Sequence, residues 1–102
     1  VFISGSAQLT NAVKKALDRM VVVFSEARGP IQIIGHTDDV PISTSRFPSN
    51  WVLSSARASS VASHLLSKSR IKKSRISVVG KADTQPVSKN REENRRIEIK
   101  VL

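Results

Sequence analysis

Ile31-Gln32-Ile33-Ile34-Gly35-His36-Thr37-Asp38-Asp39-Val40-Pro41 is the stretch that decides the fold. A short apolar run follows directly on Gly29-Pro30, ends at a glycine and turns polar, the pattern of a brief buried strand that delivers a loop. The same pattern returns as Ile76-Ser77-Val78-Val79-Gly80-Lys81-Ala82-Asp83-Thr84-Gln85-Pro86, with Ile, two aliphatics, Gly, Asp and Pro at identical offsets. Two copies do not make a repeat protein. They predict two strands that end alike at one edge of a sheet. Ligands of open α/β sheets sit outside the carboxyl ends of the strands, so the Asp38 and Asp83 loops are the first place to expect a site.

Working outward, Leu9, Val13, Leu17, Met20, Phe24 and Ala27 recur at three- and four-residue steps and predict a helix over 8–27. Ser6 is its expected N-cap, and Gly29-Pro30 stops it. Residues 36–49 read as a loop, interrupted by Pro41 and Pro48. Asn50 then caps a second helix, over about 50–67. Ile76 to Val79 form a strand, 81–94 are too charged for a core, and Arg96 to Leu102 alternate as a half-exposed strand. Val1-Phe2-Ile3 is expected to add one more strand. The order predicts an α/β (α+β) two-layer sandwich, with parallel pairing between strands linked by a helix.

The bulk numbers fit a single domain over residues 1–102: 39% hydrophobic and 25% charged residues. Cysteine is absent, which excludes a disulfide framework, a thiolate metal site and a Cys nucleophile. The longest apolar run, Met20 to Phe24, is too short for a bilayer, and no signal peptide is visible. The chain is therefore expected to be part of a longer protein whose anchoring segments lie outside it. A net charge of +9 favours nucleic acid, an anionic membrane face or an acidic wall polymer as partner. With aromatics at 4% and unclustered, base stacking is disfavoured.

Several residues ask for a reason. Arg57 shares one helix face with Leu53, Val61 and Leu65. An unpaired buried charge is costly, so two readings are open: a guanidinium that snorkels beside Ala56 and Ala58, or one anchored to grip a ligand carboxylate. Asp38 and Asp39 can cap their loop or wait for an ammonium group. A metal would need more ligands than His36 and Asp38 supply. No nucleophile elbow and no Gly-rich phosphate loop is present, so neither an enzyme nor a cofactor is expected. Lys68 to Arg75 hold five basic residues in eight. They read as solvated cations past a helix end or as a nucleic-acid contact. Arg91, Arg95 and Arg96 read as part of a salt-bridged turn.

Four separated blocks carry a resemblance: Gly35-His36-Thr37-Asp38; Asn50 with Leu53-Ser54, Arg57-Ala58 and Val61; Gly80, Ala82 and Pro86; and Asn90-Arg91 with Asn94-Arg95-Arg96-Ile97-Glu98-Ile99. Together they resemble the OmpA-like peptidoglycan-binding family over essentially the whole chain. Thr37 to Ile42, followed by a longer loop and Arg46 to Ser54, is similar to the C-terminal periplasmic domain of flagellar stator MotB chains and their sodium-driven relatives. The loop is longer than in compact members, and Val52 stands where MotB-type chains often carry an acid. The resemblance implies a βαβαβ-type fold with a mixed sheet and helices on one face. It implies a non-catalytic wall anchor in the periplasm, with a membrane helix in the missing N-terminal part. It also implies a homodimer with a MotA-like membrane partner. In the family the ligand is the diaminopimelate of the stem peptide. Asp38 would pair with its ammonium and Arg57 with its carboxylate, Thr37 and Asn50 would help shape the pocket, and Arg96 or its neighbour would contribute from the last block. The rival classes are a nucleic-acid-binding domain that uses residues 68–75, another OmpA-like anchor of outer-membrane-protein or lipoprotein type, and a hydrolase built on His36 and Asp38.

Overall fold

The computed structural model describes residues 2–102. In chain order the elements are α1 (Asn11–Glu26), β1 (Ile31–Gly35), α2 (Asn50–Lys68), β2 (Ile76–Gly80), α3 (Arg91–Asn94) and β3 (Ile97–Val101), with one 3₁₀ turn at Lys73–Arg75. The sheet runs β2-β1-β3, with β1 parallel to β2 and antiparallel to β3. The echoed segments therefore lie side by side, Ile31 against Ile76 and Gly35 against Gly80. This is the expected α+β sandwich with a mixed sheet. Ile31 and Ile33 point into one core with Leu17 and Phe24 of α1 and with Ala58, Val61, Ala62 and Leu65 of α2. The other face carries Gln32, Ile34, Glu98 and Lys100, by the two-residue alternation of strands.

Three local expectations change. Helix α1 starts at Asn11 because Thr10, not Ser6, caps it: the Thr10 hydroxyl accepts the Val13 amide at 3.2 Å. Ser6 instead turns its hydroxyl to the Gln8 amide, and residues 5–10 stay outside the helix. Helix α2 is capped by Ser49, which accepts from the Val52 amide, so Asn50 is the first helical residue rather than the cap. The expected N-terminal strand is not formed by Phe2 and Ile3, and Val1 lies outside the described residues. Phe2 is instead a core plug whose amide donates to the Arg95 carbonyl at 3.0 Å. Burying such a ring contributes roughly 1.5–3 kcal/mol.

Candidate functional site

Strand β1 carries its pairing beyond its last residue. The His36 amide donates to the Arg96 carbonyl at 2.9 Å, the Thr37 amide to the Ala82 carbonyl at 2.9 Å, and the Lys81 amide to the Gly35 carbonyl at 3.0 Å. The chain thus leaves the sheet at Asp38, beside the end of β2. Asp38 is buried there. Its Oδ1 accepts the Val40 amide at 3.1 Å, closing an Asx turn, and its Oδ2 accepts from Arg95 Nη1 at 3.0 Å. Thr37 is buried too and donates its hydroxyl to the Asp38 carbonyl. Asn50 ties the loop to the head of α2 through Nδ2 to the Val40 carbonyl at 3.1 Å.

Arg57 neither snorkels nor sits at a margin: it is 0% exposed. Nε donates to the Ser6 carbonyl at 2.8 Å, Nη1 to His36 at 3.1 Å and Nη2 to Ile3 at 3.0 Å, while the guanidinium lies 5.0 Å from the centre of the Phe2 ring. Three of its five N–H groups are therefore spent on backbone, which leaves one on each Nη. Burial lowers its pKa to about 10, and the nearby Asp38 carboxylate opposes the shift. It remains a cation at neutral pH.

Arg96 stands apart from this group. Its Nη2 donates to the Gln85 carbonyl at 3.0 Å and to Glu98 Oε1 at 2.7 Å. The neighbour that reaches Asp38 is Arg95, which also holds the Phe2 carbonyl through Nε at 2.7 Å. The salt-bridged turn expected around Arg95 thus reaches the site loop through Asp38, and two residues with no role legible in the sequence hold the neighbouring turns. Ser54 Oγ accepts the Ala82 amide at 3.0 Å and stabilises Ala82 in a left-handed conformation at φ 52°. Asn94 clasps the 87–88 turn by accepting from the Val87 and Ser88 amides and donating to the Ser88 carbonyl. Both lie in the quoted motif blocks, which was the available signal.

Beside Asp38, at the carboxyl ends of β1 and β2, a cleft of about 590 Å³ opens. Thr37, Asp39 and Asp83 line it together with Lys89, Arg91 and Asn94, so both charges are present. Asp39 and Arg91 join across it at 2.7 Å, and the guanidinium draws the Asp39 carboxyl below its usual range. Both side chains are exposed, so the pair contributes little to stability. A larger groove of about 960 Å³ runs between residues 5–9, the 44–47 loop and α2, and none of the expected site residues lines it.

His36 does not join Asp38. Its ring, 1% exposed, turns to Glu98, with Nε2 at 3.1 Å from Oε1 but out of line for a hydrogen bond. Burial lowers its pKa below the usual imidazole value, the charges of Arg96 and Lys81 act the same way, and Glu98 opposes them. A folded-state pKa below the unfolded one makes the neutral form native. His36 therefore contributes stability that is whole above about pH 6.5 and declines as acid protonates the unfolded chain first. Melting temperature should fall between pH 7 and pH 5 in the wild type and stay flatter in His36→Gln. Equal slopes in thermal scans would remove His36 as the cause.

The OmpA family model matches residues 1–100. The uncharacterized protein YtxE of Bacillus subtilis is 41% identical over 97% of this chain and 43% of its own length. Motility protein B of the same organism is 38% identical over 71% of this chain and 30% of its own length. The chain thus spans less than half the length of these curated relatives. The cell wall anchor of the T6SS from Pseudomonas aeruginosa superposes with a TM-score of 0.82 at 37% identity, over 99% of this chain and 73% of that one. With the family pattern matched from end to end and the same fold in a solved relative, the chain belongs to the OmpA family.

Proposed function

We propose that this domain is a non-catalytic anchor that binds peptidoglycan through the diaminopimelate of its stem peptide, on the outer, periplasmic side of the membrane. The observation that carries the reading is a buried carboxylate, Asp38, paired with half-buried Arg95 and near buried Arg57, next to an open cleft of mixed charge that its neighbours Thr37 and Asp39 line. A zwitterionic amino-acid centre needs an anion and a cation close together, in a site that keeps water from screening them. The ligand ammonium would take the place on Asp38 Oδ2 now held by Arg95. The ligand carboxylate would draw on Arg95, once released, and on the remaining N–H groups of Arg57. Thr37 and Asn50 hold the loop in shape, and Arg96 steadies the Pro86 rim through Gln85.

The likeness to Motility protein B supports a role in fixing a flagellar stator to the wall, as a homodimer that meets a MotA-like membrane partner through an N-terminal part outside these residues. The 37% identity to the T6SS wall anchor favours a second reading, the same wall contact serving another membrane complex.

Titration with a diaminopimelate stem peptide tests the site. The wild type binds, a lysine-containing peptide that lacks the second carboxylate binds more weakly, and Asp38→Asn loses about 10- to 100-fold, the value of one charged hydrogen bond. Equal binding by a folded Asp38→Asn would place the ligand elsewhere.

A further inference from the structure

We propose that the end of the domain opposite the cleft is a second binding surface, for a flexible polyanion bearing phosphodiester charges. Helix α2 runs from Ser54 against Gly35 and Gly80 down to Lys68, so residues 68–73 lie at the amino ends of β1 and β2. The turn after α1 meets them there, because Arg75 donates Nη1 to the Phe24 carbonyl and Nε to the Gly29 carbonyl. Arg75 is thereby spent inside the fold. Lys68, Arg70, Lys72, Lys73 and neighbouring Arg28 remain exposed, and among the described residues none lies within 4 Å of a carboxylate. The acids nearest to them in sequence are Glu26, beside Arg28, and Asp83, beyond the far end of β2.

The helix dipole accounts for Lys68 alone, since α2 ends there and its field fades within a turn. The other cations need a different reason, and the backbone beneath them is fixed. Ser69 Oγ donates to the Leu65 carbonyl and accepts the Ile71 amide, Ile71 is in the core, and the Arg75 amide donates to the Lys72 carbonyl. Four of the cations thus project from an ordered scaffold. The segment offers no aromatic for base stacking, and its one large apolar side chain, Ile71, is buried and cannot insert into a lipid surface. Charge alone does the reading, which suits a polymer with repeated phosphates. In a wall anchor, the function proposed above, that polymer belongs to the wall.

The test compares a linear poly(glycerol phosphate), phosphatidylglycerol vesicles and a single-stranded oligonucleotide, each titrated against the wild-type chain, Lys68/Arg70/Lys72/Lys73→Gln and Asp38→Asn. The expected result is polymer binding with a log–log salt slope of roughly −3, at about 0.7 per neutralised phosphate. It weakens at least tenfold in the quadruple variant and is unchanged in Asp38→Asn. Equal binding by the quadruple variant overturns the proposal, and so does tighter binding to vesicles or oligonucleotide than to the polymer. Stem-peptide titration of the same proteins separates the two ideas: peptide binding lost with polymer binding kept sinks the wall-peptide site alone, and the reverse sinks this surface alone.

Discussion

Arg57→Ala is expected to lower the melting temperature by on the order of 20 °C, or to leave no folded protein, whatever ligand is present. The guanidinium holds three backbone carbonyls from two segments distant in the chain: Ile3 and Ser6 before α1, and His36 at the end of β1. It also covers the buried Phe2 ring. Truncation leaves a cavity and two acceptors without donors, the Ser6 and His36 carbonyls, because the Ile3 carbonyl keeps the Ser6 amide; the loss is about 3–5 kcal/mol for a fully buried side chain of this size. Arg57→Met separates the parts. It restores most of the volume and none of the hydrogen bonds, so it should recover well under half of the loss. Arg57→Lys offers one ammonium for three separate carbonyls and should fall in between. An Arg57→Ala protein that melts within about 3 °C of the wild type would refute this account. The consequence for function is direct: loss of wall binding in Arg57→Ala reports the fold, and Asp38→Asn is the variant that interrogates the site.

The same residue shows what could be read from sequence. Its place in the apolar stripe with Leu53, Val61 and Leu65 was legible, and all four are buried. Its partners were not. They are carbonyls distant in the chain, and backbone acceptors leave no residue-type signature. The echo of Ile31 to Pro41 in Ile76 to Pro86 foretold two strands that end at one edge of the sheet, because strand periodicity and a terminal glycine are local signals; that they lie side by side in register, with a cleft at their end, is seen only in the fold. The choice between Arg95 and Arg96 was also open to strand logic. Ile97 packs on the core, so two residues back points the same way and selects Arg95, whereas Arg96 shares the opposite face with Glu98. The helix caps were misplaced at Ser6 and Asn50 because Thr10 and Ser49 are equally good caps. What decided between them was where the preceding chain had to run: to the Arg57 guanidinium in one case and to the Val40 carbonyl in the other.

Gly35→Ala should be the other large loss, about 3 kcal/mol and on the order of 15 °C in melting temperature. A Cβ at Gly35 would overlap the Ser54 carbonyl oxygen, with the Ser54 carbonyl carbon at 2.9 Å and the Ala58 amide nitrogen at 3.2 Å. These are main-chain atoms inside α2, held by the helix's own hydrogen bonds, so the clash cannot be relieved by a side-chain rotation. The helix has to lift from the sheet instead. Gly80 provides the internal comparison, because two of its three nearest atoms are the hydroxyl oxygens of Ser55 and Ser54. The Ser55 hydroxyl can turn away by giving up the Trp51 carbonyl, and the one on Ser54 by giving up that carbonyl and the Ala82 amide, which leaves the Ser55 amide nitrogen at 2.8 Å as the one main-chain contact among the three. Gly80→Ala is therefore expected to be the milder change, by about 1 kcal/mol or more. Lifting α2 at Gly35 also draws Arg57 off the Ile3, Ser6 and His36 carbonyls, one turn further along the same helix face. Gly35→Ala and Arg57→Ala should then be less than additive when combined, since each removes part of what the other removes. Urea melts of the two single variants and the double variant decide it. Full additivity would mean that the helix–sheet contact at Gly35 and the Arg57 anchor are independent, and that the site loop is held by the strand end rather than by α2.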